Sequence, residues 1–82
     1  MKLLHEYIQE VFQSHHDEPR IGDAVVNVNP SCKHFKSEGI VVAITELPGD
    51  AGKTATYVCS NDGPTWSRGG LLTKTLDQLD PL

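Results

Sequence analysis

Gly22 to Ile44, GDAVVNVNPSCKHFKSEGIVVAI, decides how the rest of the chain is read. After Asp23 comes a β-branched run, Ala24-Val25-Val26-Asn27-Val28, which Asn29-Pro30-Ser31 stops. Such a run suits a pleated, half-buried strand, and Pro lacks the N–H that a ladder needs. Gly39 to Leu47 is nearly continuous β-former and predicts a second, longer strand. The period of two puts Ile40, Val42 and Ile44 on one of its faces and Val41, Ala43 and Thr45 on the other. Between the strands lies a loop, Asn29 to Ser37, closed by a Glu38-Gly39 bend and holding Cys32, Lys33, His34, Phe35 and Lys36.

Toward the C-terminus the pattern repeats in shorter pieces. Pro48-Gly49-Asp50-Ala51-Gly52 is a dense turn signal. Lys53 to Ser60 predicts a third strand, with Ala55, Tyr57 and Cys59 sharing an inward face. Asn61-Asp62-Gly63-Pro64 turns the chain again, and Asp-Gly is a favoured hairpin pair. Thr65-Trp66-Ser67 reads as a short fourth strand, Gly69-Gly70 as a bend, and Leu71 to Thr75 as a fifth strand. Leu76 to Leu79 has the mix of a single helical turn before Pro81. Five short strands with Gly-rich turns and no crossover helices predict a mainly β fold, a small antiparallel barrel over 22–82.

Toward the N-terminus the period changes. Leu3, Leu4, Tyr7, Ile8, Val11 and Phe12 line one side of a helical segment, with Lys2, Glu6, Gln9, Glu10 and Gln13 opposite. An amphipathic helix is expected over 1–16. At under about four turns it is marginal alone, so its apolar side must rest on something. The barrel, a second copy and another protein are the three candidates, and short amphipathic helices are common docking elements. Residues 17–21 form a linker, since Pro19 biases Glu18 away from helix. His15 and His16 suit a solvated helix end better than a metal site, because the dipole there favours positive charge.

The bulk figures limit the function. The 82 residues make one domain, too small for an elaborate cleft. Eleven acidic against seven basic residues give a net charge of −4, which disfavours general binding to nucleic acid or anionic membrane. Two cysteines fit a reducing compartment better than a disulfide scaffold. No apolar run approaches the ~20 residues of a membrane span. Met1-Lys2-Leu3-Leu4 starts like a signal peptide, but His5, Glu6, Gln9 and Glu10 break any apolar core. A soluble intracellular protein without a cofactor is expected.

Complete catalytic signatures are missing. Leu47 to Thr54, LPGDAGKT, nearly matches a phosphate-binding loop, but Leu47 stands where the first Gly belongs and a strand follows instead of a helix. It is read as a hairpin turn. Cys32, His34 and Cys59 are the one metal set available, and they lack a fourth ligand for structural zinc. Cys59 as a core residue with a separate loop Cys-His pair is preferred. A Cys32/His34 nucleophile pair has no oriented base or oxyanion hole in the sequence. The chain is therefore expected not to be an enzyme. Aromatics beside Arg are enriched in binding hot spots, so any site is expected on Cys32, Lys33, His34, Phe35 and Lys36, together with Trp66 and Arg68.

Gly22-Asp23-x-Val25, a loop, then Glu38-Gly39-x-Val41-x-x-Ile44 resembles the KOW motif of SH3-like barrels. Leu71 to Thr75 followed by Leu76 to Leu79 resembles the last strand and helical turn of such barrels. The resemblance implies a five-stranded SH3-like barrel, with the second Gly in the positive-φ conformation that Gly tolerates. NVNPSCKHFKSEGIVV, ELPGDAGKTATYVC and LLTKTLDQL are also similar to a group of small proteins from tailed, particularly marine, bacteriophages. That similarity implies a non-catalytic interaction module binding a host or virion protein, found in the infected cell's cytoplasm or in the virion. KOW modules that touch RNA are usually basic, so a nucleic-acid or transcription-apparatus role is the second implication, at odds with this acidic chain.

Overall fold

The computed structural model describes residues 18–49 and 51–82. The helix expected over 1–16 lies outside them. The described residues form five antiparallel strands in one sheet: β1 (Ala24–Asn27), β2 (Glu38–Glu46), β3 (Lys53–Cys59), β4 (Leu71–Thr75) and β5 (Leu79–Pro81), with a 3₁₀ turn at Leu76–Gln78 between the last two. The order across the sheet is β4-β3-β2-β1-β5. Successive strands are neighbours except for β5, which crosses to pair with β1.

That crossing forces the sheet to coil. Thr75, at the end of β4, pairs with Thr54 at the start of β3, whereas Leu79 pairs with Asn27 at the end of β1. In a flat sheet these two points would lie about 30 Å apart, at ~4.8 Å per strand and ~3.3 Å per residue. Four residues of chain reach ~14 Å at most. The sheet therefore wraps so that its two edges approach each other, and the 3₁₀ turn spans the gap.

Coiling buries one face. Val25, Val41, Ala55, Tyr57, Cys59 and Leu79 form the core, with Ile44, Trp66, Leu72 and Leu76 packed against it. On β1 the inward residues are Val25 and Asn27, both fully buried. The β2 pattern breaks at a bulge between Val41 and Ala43, where one extra residue moves the following side chains to the opposite face. Val41 and Ile44 thus both pack inward despite odd spacing, and Ile40 and Val42 stay exposed.

Two expectations are corrected. Thr65–Ser67 is not a strand, because Trp66 folds back over its own turn: Gly63 N–H donates to the Trp66 carbonyl at 3.0 Å. The fifth strand is instead Leu79–Pro81. Gly39 does not have positive φ; that conformation is taken by Gly22, Gly49, Gly52, Gly69 and, among non-glycines, by Lys36 at φ 79°. Gly39 is required for space, since a Cβ there would collide with the Val58 carbonyl oxygen. The LPGDAGKT segment is the β2–β3 hairpin, with Leu47 N–H donating to the Gly52 carbonyl at 2.8 Å. Among the described residues no helix is long and apolar enough to cross a membrane.

Candidate functional site

The loop from Asn29 to Ser37 runs past the gap between the sheet edges and is tied down on each side. Asn29 Nδ2 donates to Gln78 Oε1 of the 3₁₀ turn at 3.0 Å. Thr65 Oγ1 donates to the Lys33 carbonyl at 2.7 Å. Asn61 clamps the far end three ways: Oδ1 accepts from Glu38 N–H and from Trp66 Nε1, both at 3.0 Å, and Nδ2 donates to the Lys36 carbonyl at 3.2 Å. A loop the strands alone do not define is thereby given one conformation. Asn61→Ala is expected to cost about 1–3 kcal/mol, the usual penalty for orphaned polar partners. The single tryptophan makes the check direct: Trp66 emission should shift as the indole loses its acceptor, with a lower unfolding midpoint in urea.

The loop's chemistry converges on Cys32. Its Sγ accepts from Lys74 Nζ at 3.3 Å, from Asn27 Nδ2 at 3.4 Å and from the His34 N–H at 3.4 Å. Lys74 Nζ also lies 2.7 Å from His34 Nδ1. An ammonium has no lone pair, so Nδ1 is the acceptor and the neutral ring carries its proton on Nε2. The His34 amide hydrogen bond holds the Cys32 thiol below its ordinary range, helped by Lys74 and Asn27, while partial burial works the other way. Burial and then the nearby Lys74 and Lys33 charges push His34 down as well. The His34 ring meets Trp66 edge to face, with centroids 6.3 Å apart at 74°.

Lys74 was not among the residues expected at the site. The signal was present in LLTKT: a period of two puts Lys74 on the same side as Leu72, the inward side of an edge strand. An inward lysine on an edge strand needs a polar destination, and Cys32 and His34 provide it. Asn27 was also missed. It is fully buried, and its Oδ1 accepts from the Asn29 N–H at 2.8 Å while Nδ2 reaches Cys32.

Of the expected site residues, Cys32, His34 and Trp66 are brought together and Lys33 joins through the Thr65 bond. Phe35 lies under the Lys36 ammonium, 5.5 Å from ring centroid to Nζ. Arg68 stands exposed on the loop that carries Trp66, its backbone N–H bound to Asp62 Oδ1 at 2.8 Å. Cys59 does not join the set: it is a buried core residue whose thiol burial pushes upward. Among the described residues no three His, Cys, Asp or Glu side chains gather in a metal-binding group. Compared with models of protein families, with curated proteins and with solved structures, the chain matches none.

Proposed function

We propose that this protein is a non-catalytic interaction module, an SH3-like, KOW-type barrel of the kind found in small bacteriophage proteins, whose braced loop binds an acidic segment of a host or virion protein. The observation that carries the reading is Lys36. Among the described residues it is the only non-glycine with positive φ. Left-handed backbone costs an L-residue about 1–2 kcal/mol, and glycine would avoid most of that. The strain is held in place by the Lys36 N–H donating to the Asn27 carbonyl at 2.9 Å and by Asn61 on its own carbonyl. Strain kept by surrounding bonds is a feature of functional positions. Here it presents a lysine that makes no ion pair with another described residue. Lys33 and Arg68 are exposed close by, and Phe35 and Trp66 supply aromatic surface. The barrel reading is supported by the coiled sheet and by β5 returning to β1 across a 3₁₀ turn.

Lys36→Gly separates function from stability. It is expected to raise the urea midpoint, by relief of about 1 kcal/mol, while weakening capture of the partner. Acidic peptides and single-stranded RNA and DNA, titrated against the full chain at low and moderate salt, test the partner class. Saturable peptide binding that Lys33→Ala and Lys36→Gly both weaken supports the proposal. Nucleic-acid binding with a steep salt slope overturns it in favour of the KOW-type nucleic-acid role, and absence of peptide binding overturns it outright.

A further inference from the structure

The Cys32 environment is more elaborate than a docking loop needs. Three N–H donors from three separate places meet at one sulfur: the loop's own backbone at His34, the buried end of β1 at Asn27, and the edge strand β4 at Lys74. A thiol is a weak acceptor, whereas a thiolate is a full anion; convergent donors that include an ammonium suit the anion. Lys74 is held there by two acceptors, Sγ and His34 Nδ1, and makes no ion pair with a described carboxylate. The thiolate would be its counter-charge. The same chain contains a contrast, since Cys32 is half-buried and Cys59 is 3% exposed in the core.

We propose that Cys32 is a covalent modification site, with a nucleophile assembled by Lys74, Asn27 and the His34 amide, that reacts with peroxide-class oxidants. The thiolate attacks one peroxide oxygen. The S–O bond forms as the O–O bond breaks, sulfur gives up two electrons, and the peroxide is reduced. The transferred oxygen keeps its hydrogen, leaving Cys32 as a sulfenic acid, and the departing hydroxide takes a proton from the Lys74 ammonium or from solvent to become water. A small external thiol then displaces the sulfenic hydroxyl as water and closes a mixed disulfide. Reduction by a second thiol restores Cys32. A group added to Cys32 displaces the Lys74 and His34 contacts around it, so modification would alter the face on which Lys33 and Lys36 stand.

The test uses the full chain, hydrogen peroxide followed by a sulfenic-acid trap, and peptide mass spectrometry to read Cys32 and Cys59 separately. Iodoacetamide alkylation gives each thiol's pH profile. A synthetic peptide of residues 29–37 is the unstructured reference. Cys32 should react at neutral pH severalfold faster than the peptide thiol, because more of it is thiolate, and Cys59 should trail both. Lys74→Met should bring Cys32 part of the way back to the peptide's profile, the His34 and Asn27 donors remaining in place, and Lys74→Arg should retain most of the gain. The proposal is overturned if Cys32 in the folded wild-type chain follows the peptide's profile, a result that does not depend on any variant folding. It is equally overturned if Lys74→Met, still folded by circular dichroism, leaves the rate unchanged.

Discussion

Gly39→Ala is expected to abolish cooperative folding. Gly39 is buried between β1 and β3, paired with Val25 on one side and Cys59 on the other. An added Cβ would collide with the Val58 carbonyl oxygen and stand 2.9 Å from its carbonyl carbon and 2.7 Å from Tyr57 Cδ2. A flexible side chain could move aside, but a strand carbonyl cannot turn away without breaking the ladder beside it. Strands β2 and β3 would have to part at the end of their ladder where β1 also pairs. Overpacking alone typically costs about 1–3 kcal/mol and sometimes more; lost ladder hydrogen bonds and a displaced Tyr57 come on top. A core of this size supplies roughly 3–5 kcal/mol. Far-UV circular dichroism and a proton–nitrogen correlation spectrum should show a largely unfolded chain. Gly22→Ala is the control. Gly22 has φ 95°, and a Cβ added there would meet nothing within 4 Å. Its substitution should therefore cost only the left-handed backbone strain of about 1–2 kcal/mol. A Gly39→Ala chain that unfolds cooperatively near the wild-type midpoint would show that the sheet can absorb the methyl.

The different grounds for these glycines mark what the sequence could and could not tell. Strong local signals were legible: β1, β2 and β3 fall where β-branched runs lie, and the short connection between β2 and β3, the strand at Leu71–Thr75 and the single helical turn after it are all present. Features decided by partners far along the chain were not. Thr65-Trp66-Ser67 has strand composition, but Pro64 offers no N–H and the Trp66 indole is bound to Asn61, so the segment curls on itself. Leu79-Asp80-Pro81 has poor strand composition and pairs all the same, because an edge strand tolerates Pro. Gly39 reads the same in sequence whether a glycine is needed for its φ or for its missing side chain.

The candidate site divides the same way. Cys32 and His34 announce themselves by residue type, and their spacing puts both on one short loop. Lys74 lies about forty positions later and becomes part of the site only because the sheet coils. Asn27 occupies a core position where alternation would anticipate an apolar side chain. In sequence the loop looks dispensable to the fold, yet its bonds to Gln78, Thr65 and Asn61 make it part of the structure. The proposed binding surface and the brace are thus the same segment, so an informative variant there needs a stability measurement beside the binding one.

Tyr57 carries the second large effect. Its side chain and that of Ser37 are both fully buried, and their hydroxyls lie 2.7 Å apart. Tyr57 pairs with Val41 and Leu72 across the sheet and touches the Gly39 space, so it joins the core to the end of the Asn29–Ser37 loop. Tyr57→Ala should cost about 3–5 kcal/mol, the range for emptying an aromatic site, and leave little folded protein. Tyr57→Phe is the finer experiment. It keeps the ring and strands the Ser37 hydroxyl in the core, at about 1–3 kcal/mol. Ser37→Ala strands the phenol in turn. With both hydroxyls removed neither is orphaned, so the double variant should be less destabilised than the two single effects added together, with a coupling of about 0.5–3 kcal/mol. The pH dependence has a definite sign. Burial raises the Tyr57 phenol above its ordinary 10.0, ahead of the opposing hydrogen bond from Ser37. The unfolded chain therefore releases this proton first as pH rises, so the contribution is complete below 10.0 and is lost as pH climbs through the higher folded value. Urea titrations between neutral and strongly alkaline pH should show stability falling in that window for the wild type, and a shallower fall for Tyr57→Phe. Equal slopes would mean that the Tyr57 phenol ionises alike in both states, and the buried Ser37–Tyr57 pair would then not be what holds the loop to the core.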